Sequence, residues 1–150
     1  MNGDRIFIGI DPGVNTGIAI WNSSKGRFDA LKTLTFWEAV EELEQWANLA
    51  QEFIPKKIIV EDPNMISTTF IRQGVFGRSH AKISQNVGSV KRDSQLIVEK
   101  CKSLGFTVVC IAPGANKYIN LTAKQFQTMT GCNLQSSQHS RDAAAYVWGL

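Results

Sequence analysis

The sequence predicts an α/β fold with one five-stranded mixed sheet, its first three strands antiparallel, flanked by helices. Three observations predict it. Apolar runs of strand length open the chain in close succession, two longer stretches carry helical periodicity, and each run ends in Gly, Pro or Asp turn chemistry. The resulting order is strand, strand, strand, helix, strand, helix, strand, helix.

Ile6-Phe7-Ile8-Gly9-Ile10 is apolar without relief, as in a central strand buried on both faces. Gly13 and Gly17 bracket a tight turn, and Ile18-Ala19-Ile20-Trp21 pairs back on the first run. Arg27 to Thr35 is the third strand. Phe36, Val40, Leu43, Ala47, Ala50 and Ile54 then recur at helical spacing until Pro55 closes the helix, and its Trp and Phe residues are expected in the core. Lys57 to Glu61 forms the fourth strand, and an irregular stretch runs from Asp62 to about Gln85. Val87, Val90, Ser94, Ile97, Cys101 and Leu104 mark a second long helix, ended by Gly105. Phe106 to Ile111 is the fifth strand, and short helical patterns follow near Thr122 to Thr130 and Gln138 to Trp148.

A length of 150 residues with 43% hydrophobic content fits one globular domain over residues 1–150, without repeats or a linker. No run approaches the roughly 18 apolar residues that span a bilayer, and the N-terminus lacks a secretory pattern, so a soluble intracellular chain with no membrane partner is expected. Cys101, Cys110 and Cys132 form no close pair and read as reduced thiols.

The net charge of +3 conceals an asymmetry. Residues 1–70 hold six Lys and Arg against ten Asp and Glu, whereas residues 71–150 hold ten against three. Arg72, Arg78, Lys82, Lys91, Arg92, Lys117, Lys124 and Arg141 spread over several elements, as suits a polyanion such as DNA met from several sides; a solvated basic face is the competing account. The stretch after Glu61 interleaves Phe70 and Phe76 with Arg72, Arg78, His80 and Lys82. Such a pattern can wedge against bases and hold phosphates, or fold its aromatics back on the core.

Two carboxylates stand where apolar strands run out. Asp11 ends the first and Glu61 the fourth, and a carboxylate there is costly unless something positive, a metal ion among the candidates, meets it. Asp11 before Pro12 and Gly13 is also ordinary turn chemistry. If the two strands are neighbours, their ends lie about 5 Å apart, within reach of a shared cation. Asp62 competes with Glu61, but strand side chains alternate in direction and Asp62-Pro63-Asn64 resembles a turn. His139 and Asp142 stand three apart on one helix face, capped by Ser136 or Ser137, and Ala143-Ala144-Ala145 allows close approach to the sheet.

With Ile8-Gly9-Ile10-Asp11-Pro12-Gly13 followed by Thr16-Gly17, the Val60-Glu61 strand end, and His139-Ser140-Arg141-Asp142-Ala143 in that order, the chain resembles the RuvC-like Holliday junction resolvases of the RNase H-like superfamily. The resemblance extends to Asn86-Val87-Gly88, the helix after it and Ala112-Pro113, so it covers nearly the whole chain. It implies an RNase H-like fold and a structure-selective endonuclease resolving four-way DNA junctions by paired symmetric nicks, in the cytoplasm of a bacterial or phage-infected cell. Asp11, Glu61, His139 and Asp142 are then the expected catalytic metal ligands. Clustered carboxylates repel one another, and two Mg2+ ions per site, or Mn2+ in their place, would relieve that repulsion. His139 is alternatively a general acid. Lys117 and Lys124 fall at expected DNA-contacting positions, Phe70 or Phe76 would pry bases apart, and Arg72, Arg78, Lys82, Lys91 and Arg141 are the remaining DNA-binding candidates.

Two cuts imply a homodimer, formed through the helix from Asn86 to Leu104. Other branched DNA, RNA/DNA hybrids or structured RNA are alternative substrates. An Asp-x-Gly turn also occurs in phosphotransferases, although those generally need two such domains; a catalytically silent DNA-binding module is opposed by the presence of all four candidate ligands.

Overall fold

The computed structural model describes residues 3–65 and 78–150, with the backbone alone over 78–87. Strands β1 (Ile6–Asp11), β2 (Asn15–Asn22), β3 (Arg27–Thr35), β4 (Lys57–Glu61) and β5 (Val108–Ile111) form one sheet in the order β3-β2-β1-β4-β5. The first three are antiparallel, while β4 and β5 join parallel beside β1. Helices α1 (Phe36–Ala47), α2 (Arg78–Ser103), α3 (Ala123–Thr130) and α4 (Gln138–Ala145) flank it.

Strand parity divides the core. Ile8 and Ile10 of β1, Ile18 and Ile20 of β2, and Ile58 and Val60 of β4 pack with Leu43 of α1 and Ile97 and Cys101 of α2. Ala19, Trp21 and Ile59 turn the other way, onto Ala143, Ala144 and Val147. The odd-numbered face of β1 and β4 is therefore the α4 face, and both Asp11 and Glu61 share it. Asp62 is out of phase and serves the turn: its Oδ1 accepts from the Asn64 backbone N–H at 2.9 Å and from Asn64 Nδ2 at 2.8 Å.

Four boundaries differ from expectation. The first helix stops at Ala47 with Asn48 as C-cap, and a 3-10 turn over Gln51–Phe53 replaces its last turns. Pro55 forces Ile54 extended, at φ −67° and ψ 135°, yet Ile54 still packs on the core. Trp37, expected inside, is 72% exposed and sits edge-on against Phe36, because it lies off the face defined by Phe36, Val40 and Leu43; Phe53 is half exposed as well. α2 begins at Arg78, so the expected irregular stretch is cut back to a turn at Pro63–Met65 and residues 66–77, which lie outside the described residues. β5 is shorter than expected, and α4 ends at Ala145. All three cysteines are free, and burial pushes the Cys101 thiol up to about 12. Among the described residues no helix is long and apolar enough to cross a membrane.

Candidate active site

Asp11 is the last residue of β1, and its register partner on β2 is Gly17. The absence of a side chain at Gly17 opens the space that α4 fills. A Cβ at Gly17 would stand 2.0 Å from the His139 carbonyl oxygen, and one at Gly9 would stand 2.1 Å from that of Ala143. Two glycines on adjacent strands thus form the bed for the helix, complementing its alanines. The turn between β1 and β2 is pinned by buried Thr16, whose Oγ1 donates to the Gly13 carbonyl at 3.0 Å.

β4 lies parallel to β1 with Ile10 opposite Val60, which sets Glu61 beside Asp11 at the same sheet edge. The Glu61 carbonyl accepts from Ser94 Oγ of α2 at 3.1 Å. Ser137 is the N-cap of α4 and forms a reciprocal capping box with Ser140. Its first turn delivers His139, whose Nδ1 lies 3.1 Å from Asp11 Oδ2.

Asp142, three residues on, is held differently. Its Oδ1 accepts from the Asn120 backbone N–H at 2.8 Å and from Gln138 Nε2 at 2.9 Å. Asn120 adopts a left-handed φ of 61°, a conformation Asn tolerates better than most residues. Glu61 Oε2 accepts from the hydroxyl of Tyr146, a residue sequence reasoning missed. Its signal was available: His139, Asp142 and Tyr146 follow at spacings of three and four, one helix face.

Burial pushes the Asp11 carboxyl up to about 6; the His139 bond pulls against this, and the charges of Glu61 and Asp142 raise it further. Burial, reinforced by Asp11 and Glu61, likewise pushes the Tyr146 phenol upward. The carboxylates therefore sense one another, although among the described residues no group of three or more His, Cys, Asp or Glu side chains is placed to hold a metal ion. Carboxylate oxygens with one imidazole nitrogen are nevertheless chemically suited to divalent cations, and the burial and repulsion that raise Asp11 are what such an ion would offset.

The cationic residues fall into three groups. Lys117, which lies 5.0 Å over the Tyr118 ring, and Lys124 in the first turn of α3 are both exposed. The segment carrying Lys117 is tied to α4 by Asn116 Nδ2, which donates to the Ala145 carbonyl at 2.7 Å, and by the Asn120 bond to Asp142. Lys91 is half-buried on α2. Arg141, expected to meet DNA, instead commits its guanidinium to the chain: Nε donates to the Leu121 carbonyl at 2.9 Å, and Nη1 to Ser136 O and Oγ at 3.2 and 3.0 Å. Phe70, Arg72 and Phe76 lie outside the described residues, and for Arg78 and Lys82 the description covers only the helical backbone.

The fold is similar to that of Thermus thermophilus RuvC in complex with a Holliday junction substrate, with a TM-score of 0.53 and 18% sequence identity over 95% of this chain and 90% of that one. A second Thermus thermophilus RuvC structure aligns over the same shares at 16% identity and a TM-score of 0.48. No protein-family model matches the chain, and no curated protein matches it. At such identity the likeness establishes the RNase H-like architecture: a five-stranded mixed sheet, its first strands antiparallel, flanked by helices.

Proposed function

We propose that this chain is a metal-dependent endonuclease that resolves four-way DNA junctions by paired symmetric nicks. The observation that supports the reading is the contact of His139 with Asp11, with Glu61 at the end of the adjacent parallel strand and the helix docked on glycines. The solved RuvC neighbour is itself bound to a Holliday junction substrate, which supports branched DNA as the substrate class.

Asp11, Glu61, His139 and Asp142 would hold Mg2+, with Mn2+ as a substitute. When bound, two such ions supply an activated water for in-line attack and charge to meet the departing 3′-oxygen, leaving 5′-phosphate and 3′-hydroxyl ends. The chain's own contribution is placement. Asp11 is fixed by the central strand and the Thr16-pinned turn. Glu61 is fixed by its strand and by Ser94 at its backbone. His139 directs Nδ1 at Asp11, leaving Nε2 as the nitrogen free to act elsewhere. That bond favours a second role for His139: Asp11 orients the ring, and Nε2 delivers a proton to the leaving oxygen.

Lys117 and Lys124 stand on or beside the segment tied to α4, so phosphates they hold would lie on a path fixed relative to the carboxylates. Lys91, with Arg78 and Lys82, would extend that path along α2. Two nicks call for two sites, and a homodimer through α2, where Val90 is exposed, would provide them. Cleavage of a synthetic mobile junction with and without Mg2+, read at nucleotide resolution, tests the reading. Paired symmetric nicks that vanish in Asp11→Asn, with junction binding retained, are expected. Faster cutting of a linear RNA/DNA hybrid would transfer the activity to the alternative substrate class, and full activity of Asp11→Asn would sink the site.

A further inference from the structure

Tryptophan is normally largely buried, yet Trp37 is 72% exposed. It stands in the first turn of the capped helix α1, edge-on to Phe36 at 5.1 Å and 82°, and Phe36 in turn packs on the core. Strand register ties this residue to the carboxylate site. Asp11 pairs with Gly17 and Gly17 with Thr33, so the three form one row across β1, β2 and β3, with Thr33 two strand spacings, about 10 Å, from Asp11. Thr35, two residues on, pairs with Asn15 and caps the helix that presents Trp37.

A groove of about 340 Å3 opens beside that row, between β3 and the start of α4, lined by Leu31, Thr33, Gln135, Ser136, Ser137 and Ser140. Small-molecule sites run from about 300 Å3 upward, so a single nucleobase has room. None of the six lining side chains is ionisable. An apolar side chain with uncharged hydrogen-bonding groups suits the face and edge of a base, whereas a phosphate is met by cations or backbone N–H groups. Arg141 acts behind the wall: its Nη1 donates to Ser136 Oγ at 3.0 Å, which leaves the Ser136 proton to be given. Ser140 is already committed, its Oγ accepting from the Ser137 N–H at 2.9 Å and donating to the Ser137 carbonyl at 3.1 Å. Exposed Gln135 offers a donor and an acceptor on one amide. Glu38 follows Trp37 and Glu41 lies one turn on, both exposed, so phosphates are repelled from this surface.

Resting on the nuclease reading above, we propose that this surface meets DNA through its bases: Trp37 stacks on an unpaired base, and Gln135 with Ser136 reads the edge of a base held in the groove. A branch point interrupts stacking, so a base there leaves its neighbours at low cost. Stacking on an aromatic tolerates any base, while the amide and hydroxyl discriminate between base edges. Lys117 and Lys124 then supply charge, and this surface supplies sequence preference beside the cut.

The test is fluorescence anisotropy of a labelled four-way junction, intact or with one abasic nucleotide moved stepwise through the positions flanking the branch point. Wild type, Trp37→Ala and Gln135→Ala are compared, and both residues are exposed, so neither change opens the core. Loss of one stacked base weakens binding roughly 5–100-fold. Trp37→Ala should lose that much on the intact junction and nothing further on the junction that lacks the stacked base. Its slope of log affinity against log salt should match wild type, because no phosphate contact is removed. Gln135→Ala should flatten single-turnover cleavage rates across junctions that differ only in the bases beside the cut. Equal losses in Trp37→Ala with every abasic position, a shallower salt slope in that variant, or undiminished sequence preference in Gln135→Ala would overturn the proposal. Wild-type protein that cuts neither branched DNA nor RNA/DNA hybrid in Mg2+ would remove the nuclease reading instead, a result read from cleavage and separate from these affinities.

Discussion

Replacing Gly17 by Ala tests whether α4 must lie as close to the sheet as it does. The added methyl carbon would stand 2.0 Å from the His139 carbonyl oxygen and 2.2 Å from its carbon, backbone atoms that no rotamer change can move aside. Ordinary contact begins at 3.4 Å, so the first turn of α4 must retreat by about 1.4 Å or β2 must yield. A retreat of that size stretches the 3.1 Å bond between His139 and Asp11 beyond hydrogen-bond range. Misplacement of a reacting group by about 1 Å costs on the order of 100-fold in rate, or roughly 2.7 kcal/mol of barrier. Overpacking should also lower stability by about 1–3 kcal/mol.

The assay is single-turnover junction cleavage in saturating Mg2+, set beside thermal unfolding. Gly88→Ala on α2 is the control, since a Cβ there meets nothing within 4 Å and should stabilise the helix by about 0.5–1 kcal/mol. Gly17→Ala that folds and cleaves at the wild-type rate would refute the claim that the glycine bed sets the site.

Two further outcomes follow from charge. In metal-free protein, burial raises the Asp11 carboxyl from 3.8 to about 6, so the fold favours its protonated form. That contribution is fully present below pH 3.8 and is lost as pH rises through about 6. Asp11→Asn, which cannot ionise, should therefore be more stable than wild type in EDTA at pH 8, on the order of 1–3 kcal/mol. The advantage should shrink by pH 4 in urea-unfolding curves, and one that grows toward acid would reverse the sign of the argument. Each phosphate contact contributes about 0.9 to the slope of log affinity against log salt. Lys124→Ala should thus make junction binding shallower by about one unit, seen by fluorescence anisotropy, and a parallel line would show that Lys124 meets no phosphate.

Much of the site was legible because it follows from strand parity and helix spacing. Alternation alone puts Asp11 and Glu61 on one face, given that β1 and β4 are neighbours, and a three-residue step puts His139 with Asp142. What escaped was non-local. Gly9 reads within its strand as a weak spot, and Gly17 as the end of a turn; their use as a landing for α4 depends on residues more than a hundred positions away. Arg141 reads as a surface cation in a basic half, yet the carbonyls of Leu121 and Ser136 claim its guanidinium. For Trp37, the bulk of the ring argued for burial while its phase in the helix argued against, and phase prevailed. The end of α1 was blurred because Ala50 and Ile54 keep helical spacing past Asn48, where the chain caps and turns.

The donors to the three carboxylates share an origin. Asp11 meets His139 and Glu61 meets Tyr146, while Asp142 meets Gln138 and the Asn120 N–H; three of the four donors belong to α4 or its C-cap. Before α4 docks, Asp11 and Glu61 stand at an open sheet edge where water can solvate them. Docking buries Asp11 and supplies its partner in the same event, so desolvation and compensation are coupled through one helix. If the chain works with a divalent cation as proposed, cation binding should favour the docked state by mass action, because only that state brings His139 to Asp11. Undocking α4 through Gly9 or Gly17 should weaken Mg2+ affinity and slow cleavage together, whereas changing Lys124 should alter DNA affinity while leaving Mg2+ affinity in place.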